Sequence, residues 1–332
     1  MSNKTYAILG GGGSFGIHAA KYLLSHAHED SKVIGIGRNP LRPEPFSLGV
    51  DASSRYEYRA FHITHELDLL MEYLDQEKPE VIINFAAQGE GAVSWKHSWR
   101  FFETNSMALA RLTEELAKRD WMERFIQIGT SEMYGSVDHA VTEDEPIKPS
   151  SPYAASKVAF DMHLMCVHKQ LGFPMNIIRP SNAYCPGQLL HRIIPKAIVC
   201  GLTGQKLPLH GGGKAEKSYI HARDLARAIY LVSEKAPLGA VYNAGPTDPT
   251  SIREVVNRCA HALGIAFEDL VEEAGERLGQ DSRYWLDSSA IEKAVGWEQE
   301  IDWGEGLDEM VQWGQQYLDQ LRDWPMDYQL RA

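Results

Sequence analysis

Short apolar runs recur along the first half of the chain, and amphipathic stretches separate them. The apolar runs, each short enough for a single strand, cover residues 5–9, 32–36, 81–85, 125–128 and 175–178. The amphipathic stretches, with apolar residues at helical spacing, cover residues 14–25, 67–76, 101–118 and 153–171. Strands that alternate with helices predict right-handed crossovers and a parallel sheet covered on both faces.

This alternation predicts an α/β fold, a doubly wound parallel sheet of the Rossmann type. The segment 136–152 is loop-like, and beyond Pro180 the alternation breaks up at Pro186, at 211–213 and at 246–249. We therefore predict a first domain over 1–179, to which segments near 218–245 return. A smaller, partly interleaved α/β domain over 180–332 then binds the substrate. Residues 242–244 could still add a strand to the first sheet.

Composition and charge narrow the class of protein. The 332 residues are 44% hydrophobic and 23% charged, which excludes intrinsic disorder. A net charge of −12 argues against binding to nucleic acid or to anionic membranes. The four cysteines are too widely spaced for a metal site or a disulfide framework. With neither a signal peptide nor a membrane-spanning apolar run, we expect a cytoplasmic protein without a metal.

A glycine-rich turn follows the first predicted strand. Residues 8–17 read ILGGGGSFGI and open the first predicted helix. Glycines permit a tight turn and let the backbone approach a pyrophosphate, whose charge lies at the helix N-terminus. A run of glycines can also be no more than a flexible turn, but its place between strand and helix favours dinucleotide binding. The predicted cofactor residues of this turn are Gly10, Gly13, Ser14, Phe15 and Gly16.

The end of the second predicted strand bears on the choice of dinucleotide. NAD sites usually carry an acid there for the ribose hydroxyls, whereas this chain has Arg38 in the stretch IGRN. An arginine can pair with the 2′-phosphate of NADP, so the sequence favours NADP over NAD. The alternative is a surface arginine whose site uses an acid elsewhere, such as Asp51.

Polar residues that could carry chemistry converge at the carboxyl edge of the predicted sheet. Tyr153 and Lys157 are four residues apart on one helix, where an ammonium beside a phenol would favour the phenolate. The strand 125–128 leads directly into Thr130, Ser131 and Glu132. In an open parallel sheet this edge faces the ligand crevice. We predict that these five residues form the catalytic group.

Five stretches together resemble the extended short-chain dehydrogenase/reductase family: GGGGSFG, VIINFAAQ, TSEMYG, YAASK and RPSNAYCPGQ. Within that family the chain resembles the nucleotide-sugar 4,6-dehydratases along nearly its full length. The stretch GERLGQDSRYWLD is similar to the one that closes over the nucleotide in dTDP-glucose 4,6-dehydratases. The TSE triplet is instead similar to that of GDP-mannose 4,6-dehydratases. Sugar epimerases of the family usually lack this glutamate.

The resemblance implies a mechanism in which the bound cofactor is recycled in each turnover. Tyr153 would take the proton from the sugar O4 during oxidation at C4, with Thr130 on O4 and Lys157 tuning the phenol. Glu132 would remove the C5 proton, water would leave from C6, and hydride return to C6 would give a 4-keto-6-deoxy sugar. Ser131 stands where dTDP-glucose enzymes have an aspartic acid. Either Glu132 then serves as both base and acid, which we favour, or Ser131 relays a proton through water.

Further ligand positions follow from the resemblance alone. The implied cofactor residues are His62, Ile63, Ala86, Ala87, Gln88 and Asn105, with Tyr153 and Lys157. The implied substrate residues are Gln88, Ser131, Glu132, Asn182, Arg192, Lys217, Arg277 and Arg283. His62 replaces the usual aspartic acid near adenine, and Cys185 replaces a glycine of the following turn. For each basic residue, a solvated surface charge is the competing interpretation.

Two other functions stay open at the level of sequence. A nucleotide-sugar 4-epimerase, or another sugar-nucleotide oxidoreductase, would share the fold but not the need for Glu132. A non-catalytic dinucleotide-binding sensor would be expected to have lost the Tyr153 and Lys157 pair. As in the family, the helices 101–118 and 153–171 would pair with those of a second copy in a homodimer, or in a tetramer. The partner of the site would be a nucleotide-diphosphate sugar.

Overall fold

The computed structural model describes residues 3–275 and 281–328. The strands are β1 (Thr5–Leu9), β2 (Lys32–Gly37), β3 (Tyr56–Ala60), β4 (Val81–Asn84), β5 (Arg124–Ile128), β6 (Met175–Pro180), β7 (Asn182–Tyr184), β8 (Leu207–His210), β9 (Glu216–Lys217), β10 (Tyr219–His221), β11 (Val241–Ala244), β12 (Thr250–Ser251), β13 (Val271–Ala274) and β14 (Arg283–Tyr284). The helices are α1 (Ser14–His26), α2 (Leu67–Glu77), α3 (Gly91–Ser94), α4 (Ser98–Phe102), α5 (Leu109–Leu116), α6 (Pro152–Leu171), α7 (Ile193–Thr203), α8 (Ala222–Lys235), α9 (Ile252–Leu263), α10 (Phe267–Leu270), α11 (Ser289–Val295), α12 (Trp303–Gln316) and α13 (Leu318–Leu321).

A seven-stranded parallel sheet organises the larger part of the molecule. Its order is β11-β6-β5-β4-β1-β2-β3, so the strand order reverses beside β1. Tyr6 and Ile8 of β1 pack with α1 and α8 on one face, and Ala7 and Leu9 pack with α2, α5 and α6 on the other. Apolar residues at every position of a strand are what two covered faces require. The predicted Rossmann-type fold is therefore confirmed.

Two features of the first domain differ from the sequence prediction. β3 was not predicted, because its sequence YEYRA mixes polar and apolar residues, as suits an edge strand half-exposed beyond β2. The predicted helix 101–118 is instead α4, a π-helical segment over Glu103–Ala108, and α5. The wider π-helical turn contains the buried Asn105, whose amide binds residues outside the helix. Such segments are frequent at functional sites.

A second core lies in the C-terminal part of the chain. It is formed mainly by apolar residues of α7, α9 and α12, with short strand pairs at its edge. Between these elements, α8 packs on α1 and β11 joins the first sheet, so the chain passes back through the larger unit. We propose to keep the domain division at 179/180, with 218–245 as the returning part. None of the helices in the described residues is long and apolar enough to cross a bilayer.

Candidate functional site

The glycine turn between β1 and α1 is closely packed at two of its glycines. Gly10 has a φ of 81°, and a Cβ on it would lie 2.8 Å from the Ala86 nitrogen. A Cβ on Gly16 would lie 2.5 Å from the Gly10 carbonyl oxygen. Gly13 caps α1 without a side-chain hydrogen bond, so the first amides of α1 have no side-chain cap. This arrangement fits the diphosphate of a dinucleotide.

Two adjoining cavities lie at the carboxyl edge of the sheet. A cavity of about 240 Å³ is lined by eight of the predicted cofactor residues: Gly10, Gly13, Arg38, His62, Ile63, Ala86, Ala87 and Gln88. A cavity of about 390 Å³ is lined by the predicted residues Phe15, Thr130, Ser131, Glu132, Tyr153, Lys157, Asn182, Arg192 and Lys217. Phe85 and Ala87 line both cavities. Residues from distant parts of the sequence thus meet around one continuous crevice.

Other predicted ligand residues lie outside the cavity walls. The Ser14 side chain hydrogen-bonds to the buried Cys185, and Gly16 packs against Gly10. Asn105 lies behind Gln88: its Oδ1 accepts from the Gln88 amide at 2.7 Å. The Arg283 guanidinium is paired with Glu216. Arg277 lies outside the described residues.

The smaller cavity has a basic lining at the end of β2 and β3. Arg38, Arg42 and His62 line this cavity, and no aspartate or glutamate is found among the described residues of its wall. Arg42 Nη1 also donates to the Gly12 carbonyl oxygen at 3.1 Å. Burial lowers the pKa of His62, and the neighbouring His65 and Arg38 lower it further. Sequence reasoning missed Arg42, although its position four residues after Arg38 was a visible signal.

Thr130 and Glu132 are positioned by a tight turn directly after β5. Thr130 begins the 3₁₀ turn Ser131–Tyr134, and its Oγ1 accepts from the Glu132 amide at 3.2 Å. Burial raises the pKa of the Glu132 carboxyl. Lys217 and Arg192 oppose this increase, while Glu90 and Asp281 add to it. A carboxyl with a raised pKa can exchange a proton with a substrate near neutral pH.

Tyr153 and Lys157 enter the same cavity from the first turns of α6. The helix starts at Pro152, and Ser151 caps it by accepting from the Ala154 amide at 3.1 Å. Lys157 is buried, and its Nζ donates to the Ile128 carbonyl oxygen at 2.6 Å. Burial lowers the pKa of Lys157 to about 8, and the carboxylate of Asp161 acts in the opposite direction.

The expectation that the phenol of Tyr153 has a lowered pKa is wrong for this structure. The pKa of Tyr153 is raised, first by burial and then by the nearby Glu132 carboxylate. The Thr130 hydroxyl, which hydrogen-bonds to the phenol, acts in the opposite direction without outweighing them. The reason is that desolvation of a buried phenolate exceeds the stabilisation that this arrangement offers.

The substrate side of the larger cavity combines cations with carboxylates. Arg192 Nη2 donates to the Gly89 carbonyl oxygen at 2.6 Å, and its Nη1 lies 3.4 Å from Glu90 Oε2. The Lys217 ammonium lies 5.1 Å from the centre of the Tyr284 ring. Glu90 is buried at the cavity wall and was missed from sequence, because a lone glutamate between two glycines matches no pattern. The cations suit a diphosphate, and the carboxylates suit sugar hydroxyls.

The chain is similar to known proteins over most of its length. Residues 6–245 match the model of the NAD dependent epimerase/dehydratase family. The dTDP-glucose 4,6-dehydratase of Haemophilus influenzae is 30% identical over 329 residues, covering 92% of this chain and 96% of that protein. A trifunctional UDP-glucose 4,6-dehydratase/UDP-4-keto-6-deoxy-D-glucose 3,5-epimerase/UDP-4-keto-L-rhamnose-reductase of Arabidopsis thaliana is 29% identical over 93% of this chain. The chain spans about half the length of that plant relative, 47%.

A solved structure extends the similarity to the fold. The dTDP-glucose 4,6-dehydratase of Streptomyces venezuelae, with NAD and TYD bound, superposes with a TM-score of 0.88. It is 29% identical, and the match covers 95% of this chain and 98% of that one.

Proposed function

The chain belongs to the NAD dependent epimerase/dehydratase family, and we propose that it is a nucleotide-sugar 4,6-dehydratase. One observation carries the proposal. Thr130, Glu132, Tyr153 and Lys157 line a single cavity that shares Phe85 and Ala87 with the cavity beside the glycine turn. Glu132 is the acid–base group that elimination of water requires in addition to the oxidoreductase pair.

The residues around the glycine turn fit an NAD(P) cofactor. Gly10 and Gly16 leave no room for side chains, and the start of α1 offers amides for a diphosphate. Ala86, Ala87 and Gln88 line the cavity beside the turn. These residues would hold the cofactor, which when bound would supply a hydride acceptor for oxidation at C4 and a hydride donor for reduction at C6.

The acid–base steps are assigned to the side chains of this chain. Tyr153 accepts the O4 proton in its phenolate form, which is the minor form near neutral pH because the pKa of the buried phenol is raised. Thr130 hydrogen-bonds to O4. Glu132 then removes the C5 proton, which the 4-ketone has made acidic. The protonated Glu132 delivers that proton to the departing C6 hydroxyl, so one carboxyl serves first as base and then as acid. When hydride returns to C6, C5 takes up one proton, which balances the proton that Tyr153 removed from O4. The alternative is that Ser131 relays a proton to the departing C6 hydroxyl through a water molecule.

NADP is the dinucleotide that we favour for this cavity. Arg38 and Arg42 bring positive charge to the end of β2 and β3, where NAD sites usually carry an acid. An arginine matches a 2′-phosphate in charge and in hydrogen-bond geometry. The structural relative cited above has NAD bound, so this chain would differ from it in its cofactor.

The mutation Glu132→Gln tests the mechanism most directly. The variant should bind the cofactor as the wild type does, because Glu132 lies in the other cavity. Elimination should fall by at least about 100-fold, as expected for loss of a general acid–base group. Wild type and variant are incubated with UDP-, dTDP-, GDP- and CDP-hexoses, and products are analysed by mass spectrometry for loss of one water.

The control is Glu145→Gln, a carboxyl outside both cavity walls, which should leave the rate unchanged. A normal rate of water loss in Glu132→Gln would contradict the assignment of Glu132. Conversion of a substrate to an isomer of unchanged mass would instead identify a 4-epimerase.

We also propose that the protein forms a homodimer. Large apolar side chains are exposed on α4, the π-helical segment and α6, and α4 packs against α6. Trp99 on α4 is 61% exposed, Met107 in the π-helical segment 59%, and Leu171 at the end of α6 71%. An apolar surface of this kind on adjoining helices is typical of a protein interface.

A further inference from the structure

The last described residue, Tyr328, contacts the walls of both cavities. Its hydroxyl donates to Gln88 Oε1 at 3.1 Å, and Gln88 lines the smaller cavity. Its ring lies edge-on to the His191 ring, with centroids 5.1 Å apart, and His191 lines the larger cavity. A residue 240 positions away from Gln88 in sequence thus reaches the junction of the two cavities.

The residues before Tyr328 hold it at this place. The Trp324 ring packs on Phe46 with centroids 4.3 Å apart, and Met326 Sδ lies 4.0 Å from Cys200 Sγ of α7. Asp327 lies 3.8 Å from the Lys196 ammonium, also on α7. The segment 324–328 is therefore fixed to the C-terminal core, and it presents Tyr328 to the loop after β4.

A continuous chain of hydrogen bonds runs from Gln88 to the catalytic helix. Asn105 accepts from the Gln88 amide at 2.7 Å and donates to the Gln88 carbonyl at 3.1 Å. Its Nδ2 also donates to Ser156 Oγ at 3.0 Å, and that hydroxyl donates to the Tyr153 carbonyl oxygen at 2.7 Å. Gln88, Asn105 and Ser156 are all buried, so water does not readily replace these bonds.

The loop that begins at Gln88 also borders the catalytic carboxyl. The Gly89 carbonyl accepts from Arg192, and the adjacent Glu90 pairs with the same guanidinium. A Cβ added to Gly91 would lie 3.6 Å from Glu132 Oε2. A displacement of this loop would therefore change the surroundings of Glu132.

We propose that Tyr328 is a positioning residue of the active site. Its hydroxyl fixes the Gln88 side chain, and with it the loop 88–91 against Glu132 and the N-terminal turns of α6. If Tyr328 only filled space beside His191, its ring would be enough and the loss of its hydroxyl would have no effect. The kinetic consequence rests on the proposed function, whereas the effect on the loop does not.

Hydrogen–deuterium exchange of the intact protein tests the positioning role without any assay of activity. Tyr328→Phe removes only the hydroxyl, and amide exchange in peptides covering residues 86–94 should become several-fold faster. The matched control is Tyr317→Phe. Tyr317 directly follows α12, and its hydroxyl bonds to Glu44 and not to Gln88. Unchanged exchange in Tyr328→Phe would overturn the proposal, as would equal acceleration in both variants.

A double-mutant cycle shows whether the effect passes through Gln88. Gln88→Met keeps the length of the side chain but removes the acceptor, so adding Tyr328→Phe should then accelerate exchange no further. Full additivity of the two effects would contradict the assigned contact.

Kinetics with the nucleotide sugar that the wild type converts supplies the second readout. Loss of this half-buried hydrogen bond should lower kcat about five- to tenfold, while KM and cofactor affinity stay within twofold. Tyr317→Phe should keep both constants. A reduced affinity with unchanged kcat would show a substrate-binding role and overturn the positioning role. If the wild type converts no nucleotide sugar, the proposed function fails, and the exchange experiment still decides the role of Tyr328.

Discussion

At the scale of single residues, burial sets the proton chemistry of the site. It raises the pKa of Glu132 and of Tyr153, and it lowers that of Lys157 to about 8. Asp161, one helical turn after Lys157, opposes the last shift and lies 3.5 Å from Arg179 Nε. A carboxylate that does not line the cavity therefore helps to keep Lys157 charged near neutral pH.

The pH dependence of activity follows from these residues. Activity that requires the Lys157 ammonium should decline as pH rises through about 8, because the buried ammonium loses its proton there. In Asp161→Asn the decline should begin at lower pH, since the anion that stabilises the ammonium is gone. Rates of wild type and variant are measured from pH 6 to 10.

Two comparisons make the result specific. Asp75→Asn removes a more exposed carboxylate paired with Arg119 and should leave the profile unchanged. Asp161→Asn should also lower the free energy of unfolding by about 3 kcal/mol, because it breaks a buried ion pair, and chemical denaturation measures this. An unshifted alkaline limb in Asp161→Asn would mean that Asp161 does not tune Lys157.

At the scale of elements, the segment after β2 distinguishes this site from the usual NAD site. Its residues 38–42 place two arginines in the wall of the smaller cavity, and β3 adds Tyr58 behind them. The Tyr58 hydroxyl donates to the Asn39 carbonyl oxygen at 2.7 Å and so fixes the segment to the sheet. The strand β3, which the sequence did not predict, thus holds in place the segment that contains the predicted residue Arg38.

Binding of the two dinucleotides measures the role of Arg38. Arg38→Ala should weaken NADP binding about 10- to 100-fold, since charge-assisted hydrogen bonds to a phosphate would be lost. NAD binding should change less than threefold. Isothermal titration with NADP and NAD gives both constants, and Arg55→Ala, outside the cavity wall, is the control. Equal losses for the two dinucleotides would argue against 2′-phosphate recognition.

At the scale of the whole molecule, net charge and surface pattern have separate consequences. The net charge of −12 does not prevent binding of a diphosphate, because charges beyond about 8 Å are screened at physiological salt. Residues 179–227 contain eight basic and two acidic residues, and Arg192 and Lys217 of this stretch line the larger cavity. Local charge therefore decides ligand binding. The apolar surface on α4 and α6 bears on the proposed homodimer and not on ligand binding.

The dimer proposal is tested by placing a charge on that surface. Trp99→Glu should convert a dimer to a monomer, because burying an unpaired carboxylate in an apolar interface is strongly unfavourable. Sedimentation velocity gives the mass of each form. Leu238→Glu, at an exposed apolar residue in the loop after α8, should leave the mass unchanged. A wild type that sediments as a monomer would contradict the proposal.

The sequence by itself determined the parallel α/β fold and the glycine turn, and it singled out Thr130, Glu132, Tyr153 and Lys157, which line one cavity. These follow from local pattern, because strand periodicity, turn chemistry and helix spacing each involve only neighbouring residues. Only the tertiary structure placed Arg42, Glu90 and Tyr328 around the site, since the residues they contact lie far away in sequence. It also showed that Asp161 is buried close to Arg179 while it acts on Lys157. The direction of the Tyr153 pKa shift also needed the structure, because burial depends on every element packed around the phenol.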